Sequence, residues 1–411
     1  MITLSKFIYD LFLGIYYATA WTLSLFRQKE KLWISGRKET FNRLKKIENN
    51  SSEKRIWFHC SSLGEFEQAR PLIESIKSKK PDSRIFLSFF SPSGYEIRKN
   101  YPLADCVFYL PFDSKKNAAR LIDILKPDIV FWTKYDFWYY MLTDLKNRKV
   151  VTILFSANFR AEQIFFKSYG AFFREILHCY SNIFVQNETS QKLLNVIGVK
   201  STIAEDTRFD RVYENALNSN RIEKIELFLS GSKVLVAGST WPKDEHLIKQ
   251  SLETLRENNF KIIIAPHEID EQSISRTEKL FESEFVLFSK LEKESAKNVL
   301  IIDNIGMLSS IYRYADLVYV GGGFNKSVHN VLEPAAHGKA MIFGPNHHKS
   351  NEAKELVVMG IASIVNSNEN IATTALTIMN GNIENQKGNK AKGYVKSKTG
   401  GTEKIISNCS I

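Results

Sequence analysis

The chain has 411 residues, enough for two or three domains, and its 44% hydrophobic and 25% charged residues are an ordinary globular mix that excludes global disorder. Four widely separated cysteines, Cys60, Cys106, Cys179 and Cys409, exclude a disulfide scaffold and any CxxC metal or redox pattern, and they fit a reducing compartment. The net charge of +11 lies at two places: residues 27–55 hold ten Lys/Arg against four Asp/Glu, and residues 386–411 hold six Lys against one Glu.

Residues 56–385 are neutral in sum. A nucleic-acid groove would carry its charge on the folded body, so nucleic acid is not an expected partner. Basic residues beside an apolar segment instead suggest an anionic membrane surface. That segment is 7–26, FIYDLFLGIYYATAWTLSLF, in which only Asp10 is charged. Twenty residues match one hydrocarbon thickness as a helix. Arg27, Lys29, Lys31, Arg37 and Lys38 follow at once and would hold the downstream chain in the cytoplasm. Residues 1–26 are therefore expected to anchor the protein, spanning the bilayer or lying in its interface. A signal peptide ending at Ala18-Thr19-Ala20 and a buried helix are the other readings.

From residue 56 short apolar runs alternate with helical stretches. The first series of expected strands is 56–60, 84–90, 106–110, 128–132, 150–155 and 182–186. The second is 233–237, 260–265, 284–288, 298–302, 316–320 and 340–343. Continuous β-rich runs with helical crossovers predict parallel sheets covered on both faces. The polar stretch 211–232, ending in Ser230-Gly231-Ser232, reads as the linker. The expected domains are thus 27–210 and 233–411, two Rossmann-like α/β domains with a cleft between them. Ligands in such sheets bind beyond the carboxyl ends of the strands.

The first such loop is Ser61-Ser62-Leu63-Gly64-Glu65, where Glu65 can act as a general base or simply start a helix. Ser91-Pro92-Ser93-Gly94 is a cap or a ligand loop. Lys134 and Asp136 follow a buried strand, either at the cleft or in a solvated loop. Arg208 can neutralise a phosphate or lie on the surface.

In the second half, Gly238-Ser239-Thr240 lies between strand and helix, where backbone N–H groups can hold an anion. Pro266-His267 follows a strand, although a lone histidine is more often structural. Gly321-Gly322-Gly323 lets backbone approach a ligand, and Glu333 beside it can grip ribose hydroxyls. GxGxxG and Walker A patterns are absent, which weakens dehydrogenase and P-loop readings. His347-His348 lacks a third ligand in spacing and reads as surface.

Several of these pieces coincide in order with one family. The apolar N-terminus, HCSSLGE at 59–65, SPSG at 91–94, YLPFD at 109–113, KPDIV with KYDFW at 126–138, RFD at 208–210, GST at 238–240 and GGGFN…HNVLEPAAHGKAMIFGP at 321–345 resemble the transferases of 3-deoxy-D-manno-octulosonic acid (Kdo) in lipopolysaccharide synthesis. GYVKSKTGGTEKII at 393–406 looks like that family's closing helix. The resemblance implies a GT-B fold, CMP-Kdo as donor, a lipid A precursor as acceptor, no metal and no cofactor. It implies Glu65 as general base. It implies contacts to CMP at Pro266 and His267, at Ile305, Gly306 and Met307, and at Asn330, Val331, Leu332 and Glu333. Arg208 stands where the family usually has lysine. Lys134 and Asp136 stand where it has glutamates, with the charge at 134 reversed, and Met307 replaces a common glutamate.

The expected protein is an inverting glycosyltransferase on the cytoplasmic face of the inner membrane, with Ser239, Thr240, the Gly322 loop and Arg208 stabilising the departing phosphate. A transferase using a UDP- or GDP-sugar, and a non-enzymatic basic membrane-associated protein, are the alternatives.

Overall fold

The two central strands of the first half, Arg55–Cys60 and Ile129–Thr133, are buried along their whole length, as parallel sheets with helices on both faces require. The computed structural model describes residues 2–45, 53–134, 136–292, 295–366 and 369–409. Among them, β1 (Arg55–Cys60), β2 (Arg84–Phe89), β3 (Cys106–Tyr109), β4 (Ile129–Thr133), β5 (Val151–Ala157), β6 (Asn182–Val185) and β7 (Thr202–Ile203) form one sheet in the order β3-β2-β1-β4-β5-β6-β7. All its pairings are parallel. The side-chain period of two sends Trp57, Phe86, Val130, Trp132 and Leu154 to one face. It sends Ile56, Phe58, Leu87, Phe131 and Phe155 to the other, under Phe66, Leu72 and Ile73.

The second sheet contains β8 (Lys233–Thr240), β9 (Phe260–Pro266), β10 (Phe285–Leu287), β11 (Val299–Ile301), β12 (Leu317–Val320), β13 (Ala340–Phe343) and β14 (Ala362–Ile364). Its order is β10-β11-β9-β8-β12-β13-β14, again all parallel. All twelve expected strands are present. The edge strands β7 and β14 are additional. They are two and three residues long and carry no continuous apolar run.

Contacts divide the chain into Met1–Asp210 with Gly400–Ile411, and Arg211–Thr399. Two expected boundaries differ from this division. Residues 211–232 are not a free linker: helix Glu223–Leu229 buries Ile225 and Phe228 within the second unit. The final helix Gly401–Ser407 leaves the second unit and joins the first, where Ile405, Ile406 and Cys409 enter the core beside Phe66. The Asp210 carboxylate receives the backbone N–H groups of Gly400 and of Thr402, the latter at 2.7 Å, and fixes the return. Gly401 abuts the Ala204 carbonyl so closely that no Cβ would fit.

The apolar N-terminus is a helix, α1 (Ile2–Ser24), followed by α2 (Gln28–Leu44). Among the described residues no helix is long and apolar enough to cross a membrane. Helix α1 instead lies on the first unit. Tyr9 and Leu13 enter its core, the Tyr9 hydroxyl donates to Asp113 at 2.6 Å, and Tyr140 donates to Asp10 at 2.6 Å. Its opposite side leaves Phe7, Leu11, Phe12, Ile15 and Trp21 half exposed or more. Two cations of the basic run are not surface charges. Arg37 is folded inward over Trp33 and donates to the carbonyls of Trp33 and Phe90, and Arg55 is buried and donates to Leu125. Residues 46–52 of that run lie outside the described residues.

Candidate active site

In the first sheet the chain runs outward from β1 through β2 to β3, then returns to the far side of β1 with β4. The loops after β1 and β4 thus diverge at a topological switch point, where open α/β sheets bind ligands. Glu65 follows β1, and Lys134 and Asp136 follow β4. Tyr135 lies outside the described residues.

Glu65 sits in the first turn of α3 (Leu63–Lys79) and is only 9% exposed. Its carboxylate turns back to accept the backbone N–H groups of Ser61 and Ser62. The helix-start reading is therefore true of its geometry, but it does not account for its electrostatics. Burial and then the charge of Asp136 push the Glu65 carboxyl up to about 8, against the opposing pull of the Ser61 N–H, of Lys134 and of the Ser62 N–H. A carboxyl group poised near neutrality beside a second carboxylate can accept a proton from a hydroxyl.

Asp136 is held in turn. His59, buried in β1, places Nε2 at 3.0 Å from Asp136 Oδ2 and Nδ1 at 2.9 Å from Ser88 Oγ. Trp57 Nε1 donates to that same Ser88 oxygen at 2.8 Å. The Ser88 oxygen also reaches the Phe58 carbonyl at 3.4 Å, so His59 is tied through Ser88 to β1 and β2 while its Nε2 meets Asp136. The indole of Trp132 donates to the backbone carbonyl of Asp136. Lys134 has a left-handed backbone, φ 55, and its charge favours the ionised forms of both Glu65 and Asp206.

Arg208 is not an unengaged surface cation. Its Nε and Nη2 clasp the buried Asp206 carboxylate at 3.0 and 2.9 Å. Gln68 and Gln186 each donate to Asp206 at 2.6 Å, so the ion pair is built into the first unit. Burial raises the Asp206 carboxyl, but the charge and hydrogen bonds of Arg208 outweigh it and leave its pKa below the usual aspartate value.

In the second unit the direction of strand order reverses between β8 and β12, and the expected nucleotide residues gather at that end of the sheet. Ser239 and Thr240 close β8, Pro266 closes β9 with His267 exposed after it, 305–307 follow β11, and 321–333 follow β12. Gly306 adopts φ 93 in an exposed loop, and Asn304 Nδ2 donates to Met307 Sδ at 2.8 Å. Asn330 Oδ1 accepts from Leu332 N at 3.0 Å, which shapes the turn into the short helix Leu332–Ala336 that carries Glu333. Val331 and Leu332 are buried.

Two expected donors are engaged inside the fold. The Gly322 N–H donates to buried Asp244 at 3.0 Å, and the Thr240 hydroxyl donates to buried Glu245 at 3.0 Å. The glycine run serves packing: a Cβ on Gly321 would strike the Ser239 carbonyl, and one on Gly323 would lie 2.5 Å from Gly344 N. Ser239 itself has φ 52. His347 departs from its surface reading. It is buried, and its Nδ1 lies 2.8 Å from the Pro345 carbonyl, while His348 is exposed.

Reading the sequence missed His59, Asp206, Trp241 and Asp244. His59 and Asp206 flank residues singled out, but only the fold shows that they reach Asp136 and Arg208.

Two α/β units, each with a parallel sheet of this kind, form the GT-B glycosyltransferase architecture. Two solved structures share the fold. UDP-GlcNAc 2-epimerase from Neisseria meningitidis aligns with TM-score 0.54 and 16% identity over 83% of this chain and 98% of that one. A glycosyltransferase from Rickettsia africae aligns with TM-score 0.53 and 12% identity over 87% and 97%. Sequence is more specific. Residues 36–211 match the family model described as 3-deoxy-D-manno-octulosonic-acid transferase (kdotransferase). The 3-deoxy-D-manno-octulosonic acid transferase of Rickettsia typhi is 23% identical over 348 residues, 82% of this chain and 74% of that protein. Over these residues the chain is similar in sequence to the Kdo transferases.

Proposed function

We propose that the protein transfers Kdo from CMP-Kdo to an acylated glucosamine disaccharide of the lipid A precursor type, with release of CMP. The observation that carries the reading is Glu65, a buried carboxyl group pushed up to about 8 and set beside the His59-held Asp136 at the β1/β4 switch point. Glu65 removes the proton of the acceptor hydroxyl as that oxygen attacks the anomeric carbon. The departing CMP carries the negative charge away. Attack and departure on opposite faces invert the anomeric centre. Arg208, held rigidly by Asp206, is the candidate cation for developing negative charge in the first unit. The residues after β8, β9, β11 and β12 take the nucleotide. The reaction as written needs no metal ion.

The test is incubation of the purified protein with CMP-Kdo and tetraacylated lipid A precursor, followed by mass spectrometry of the lipid. A gain of one or more Kdo residues is expected. An unmodified lipid, with CMP nonetheless protecting the protein from thermal unfolding, would leave a nucleotide-binding protein with a different acceptor. Protection by UDP and not by CMP would move the donor class to UDP-sugars.

The exposed side of α1 supports attachment at the cytoplasmic face of the inner membrane by a helix lying in the interface. Each large side chain withdrawn from water there contributes ~1.5–3 kcal/mol. Replacing Phe7, Leu11 and Ile15 together with glutamate is expected to abolish co-sedimentation with anionic vesicles. CMP affinity is expected to stay unchanged, because the candidate nucleotide residues lie in Arg211–Thr399. Undiminished vesicle binding by the triple variant would remove α1 as the attachment surface.

A further inference from the structure

Trp241 follows β8 and His329 follows β12, so the pair bridges the switch point of the second sheet. Trp241 Nε1 donates to His329 Nε2 at 2.7 Å. An indole N–H can only donate, so Nε2 offers its lone pair and the imidazole proton resides on Nδ1. The ring is also fixed in its plane. His267 stacks on it at 4.2 Å and 21°, and Trp241 stacks on His267 at 4.9 Å and 27°. The backbone N–H of His329 donates to the Gly321 carbonyl at 3.0 Å. Gly322, at φ 88, passes so near that a Cβ there would lie 2.7 Å from His329 Cδ2. The Nε2–Cδ2 edge is thus clamped, and Nδ1 has no partner among the described residues.

We propose that Trp241 is a positioning residue that fixes His329 as a neutral imidazole and turns its Nδ1–H toward the phosphate of the bound nucleotide. The proposal rests on reading this unit as the nucleotide-binding half of the transferase. A neutral donor stabilises a phosphoryl oxygen without adding a charge that would retain the CMP product as an ion pair. The surroundings hold the ring neutral: burial, then the facing His267, push His329 down to about 4. Asp244, at the start of helix Pro242–Glu257, accepts from the N–H groups of Trp241 and Gly322 and from the Tyr319 hydroxyl.

The test uses the full-length protein with 15N-labelled histidine, followed by long-range 1H–15N correlation from about pH 5 to about pH 8, a range that spans ordinary histidine titration. His329 signals are identified by their loss in His329→Asn. In the unliganded wild type they are expected to show the neutral Nδ1–H form throughout. In Trp241→Phe, which keeps an aromatic ring and removes the donor, the Nε2–H form and titration toward the ordinary histidine range are expected. An Nε2–H or cationic ring in the wild type near neutral pH, or the same spectrum in Trp241→Phe, overturns the proposal. Adding CMP to the wild type should move the Nδ1–H signal, and an unmoved signal at saturation overturns the phosphate contact. His329→Asn, which retains a neutral N–H donor, should bind CMP within ~3-fold of wild type. His329→Phe should bind ~10-fold more weakly, the loss of about one hydrogen bond. Equal affinity of these two variants also overturns the contact. The spectra need no Kdo and no lipid, so a wild type that fails to transfer Kdo would refute the functional reading and leave the His329 result standing.

Discussion

Glu65→Gln is expected to lower Kdo transfer by ~10²–10⁴-fold, the usual cost of losing a general base, while CMP affinity stays at its wild-type value. The same substitution is expected to raise protein stability at alkaline pH, as the elevated Glu65 pKa requires. The Glu65 carboxyl lies at about 8 in the folded protein against an ordinary value of 4.5. Below the ordinary value both folded and unfolded chains hold the proton, and Glu65 makes no difference to pH dependence. As pH rises above it, the unfolded chain releases a proton that the folded chain still keeps, so stability falls. The penalty is complete once pH passes the folded value. Glutamine keeps an oxygen for the Ser61 and Ser62 N–H groups and has no charge to desolvate. The variant should therefore unfold at higher denaturant concentration than wild type at about pH 9 and at the same concentration at about pH 4. Transfer by the wild type should rise with pH toward the Glu65 value, since only the ionised form accepts a proton. Asp136→Asn removes the second-largest cause of the elevation and should move that rise to lower pH. Glu67 is the control: its carboxylate pairs with Arg98 at 3.0 Å, and Glu67→Gln should retain transfer. Near-normal transfer by Glu65→Gln would transfer the base role to Asp136.

Why Glu65 was legible and its surroundings were not follows from the kind of information each needs. A continuous apolar run ending in a glycine turn announces a buried strand and the loop at its carboxyl end, and Glu65 stands in that loop. The same logic located Lys134, Asp136, His267 and the 321–333 segment, because parallel sheets place all such loops at one end. Raising Glu65 toward neutrality depends on its burial and then on the charge of Asp136, 71 positions later, which His59 holds from β1 beside its partner strand β4. Only strand order brings these together, and no local pattern encodes strand order. Glycine spacing misled for a related reason. Gly321 and Gly323 signal a close backbone approach correctly, yet the approaching groups are Ser239 and Gly344 of the same unit. The apolar stretch at 7–26 predicted a helix. Tyr9 and Asp10 carry the information that it docks, through their partners Asp113 and Tyr140. Charge counting similarly missed that Arg37 and Arg55 turn inward, since a long side chain can bury its stem and give its guanidinium to backbone carbonyls.

Asp206→Asn is expected to be the most damaging single change outside the proposed base. Asp206 is buried and receives Gln68, Gln186, and the backbone and side chain of Arg208. Asparagine has one acceptor oxygen where the carboxylate has two, and its amide would face donors. Breaking a fully buried ion pair costs about 3–5 kcal/mol. Arg208 is a third exposed, so water recovers part of that, and a loss of about 2–4 kcal/mol in urea unfolding is expected. The pH dependence has the opposite sign to that of Glu65. The Asp206 carboxyl is held below its ordinary value, so its contribution is fully present above that value and disappears as pH falls through the folded one. Wild type and variant should differ at neutral pH and converge in strong acid. The functional effect separates two roles for Arg208. If it merely ties the helix Arg208–Leu217 to the sheet, Asp206→Asn lowers stability and leaves transfer by the folded fraction intact. If it faces the reacting centre, a guanidinium released from its clasp is misplaced, and transfer falls ~10²-fold even where the protein is fully folded. Arg208→Lys keeps the charge but not the two-pronged grip on Asp206, and should fall with it. Full transfer by both variants under folding conditions would remove Arg208 from the mechanism and leave the positive charge near Glu65 to Lys134.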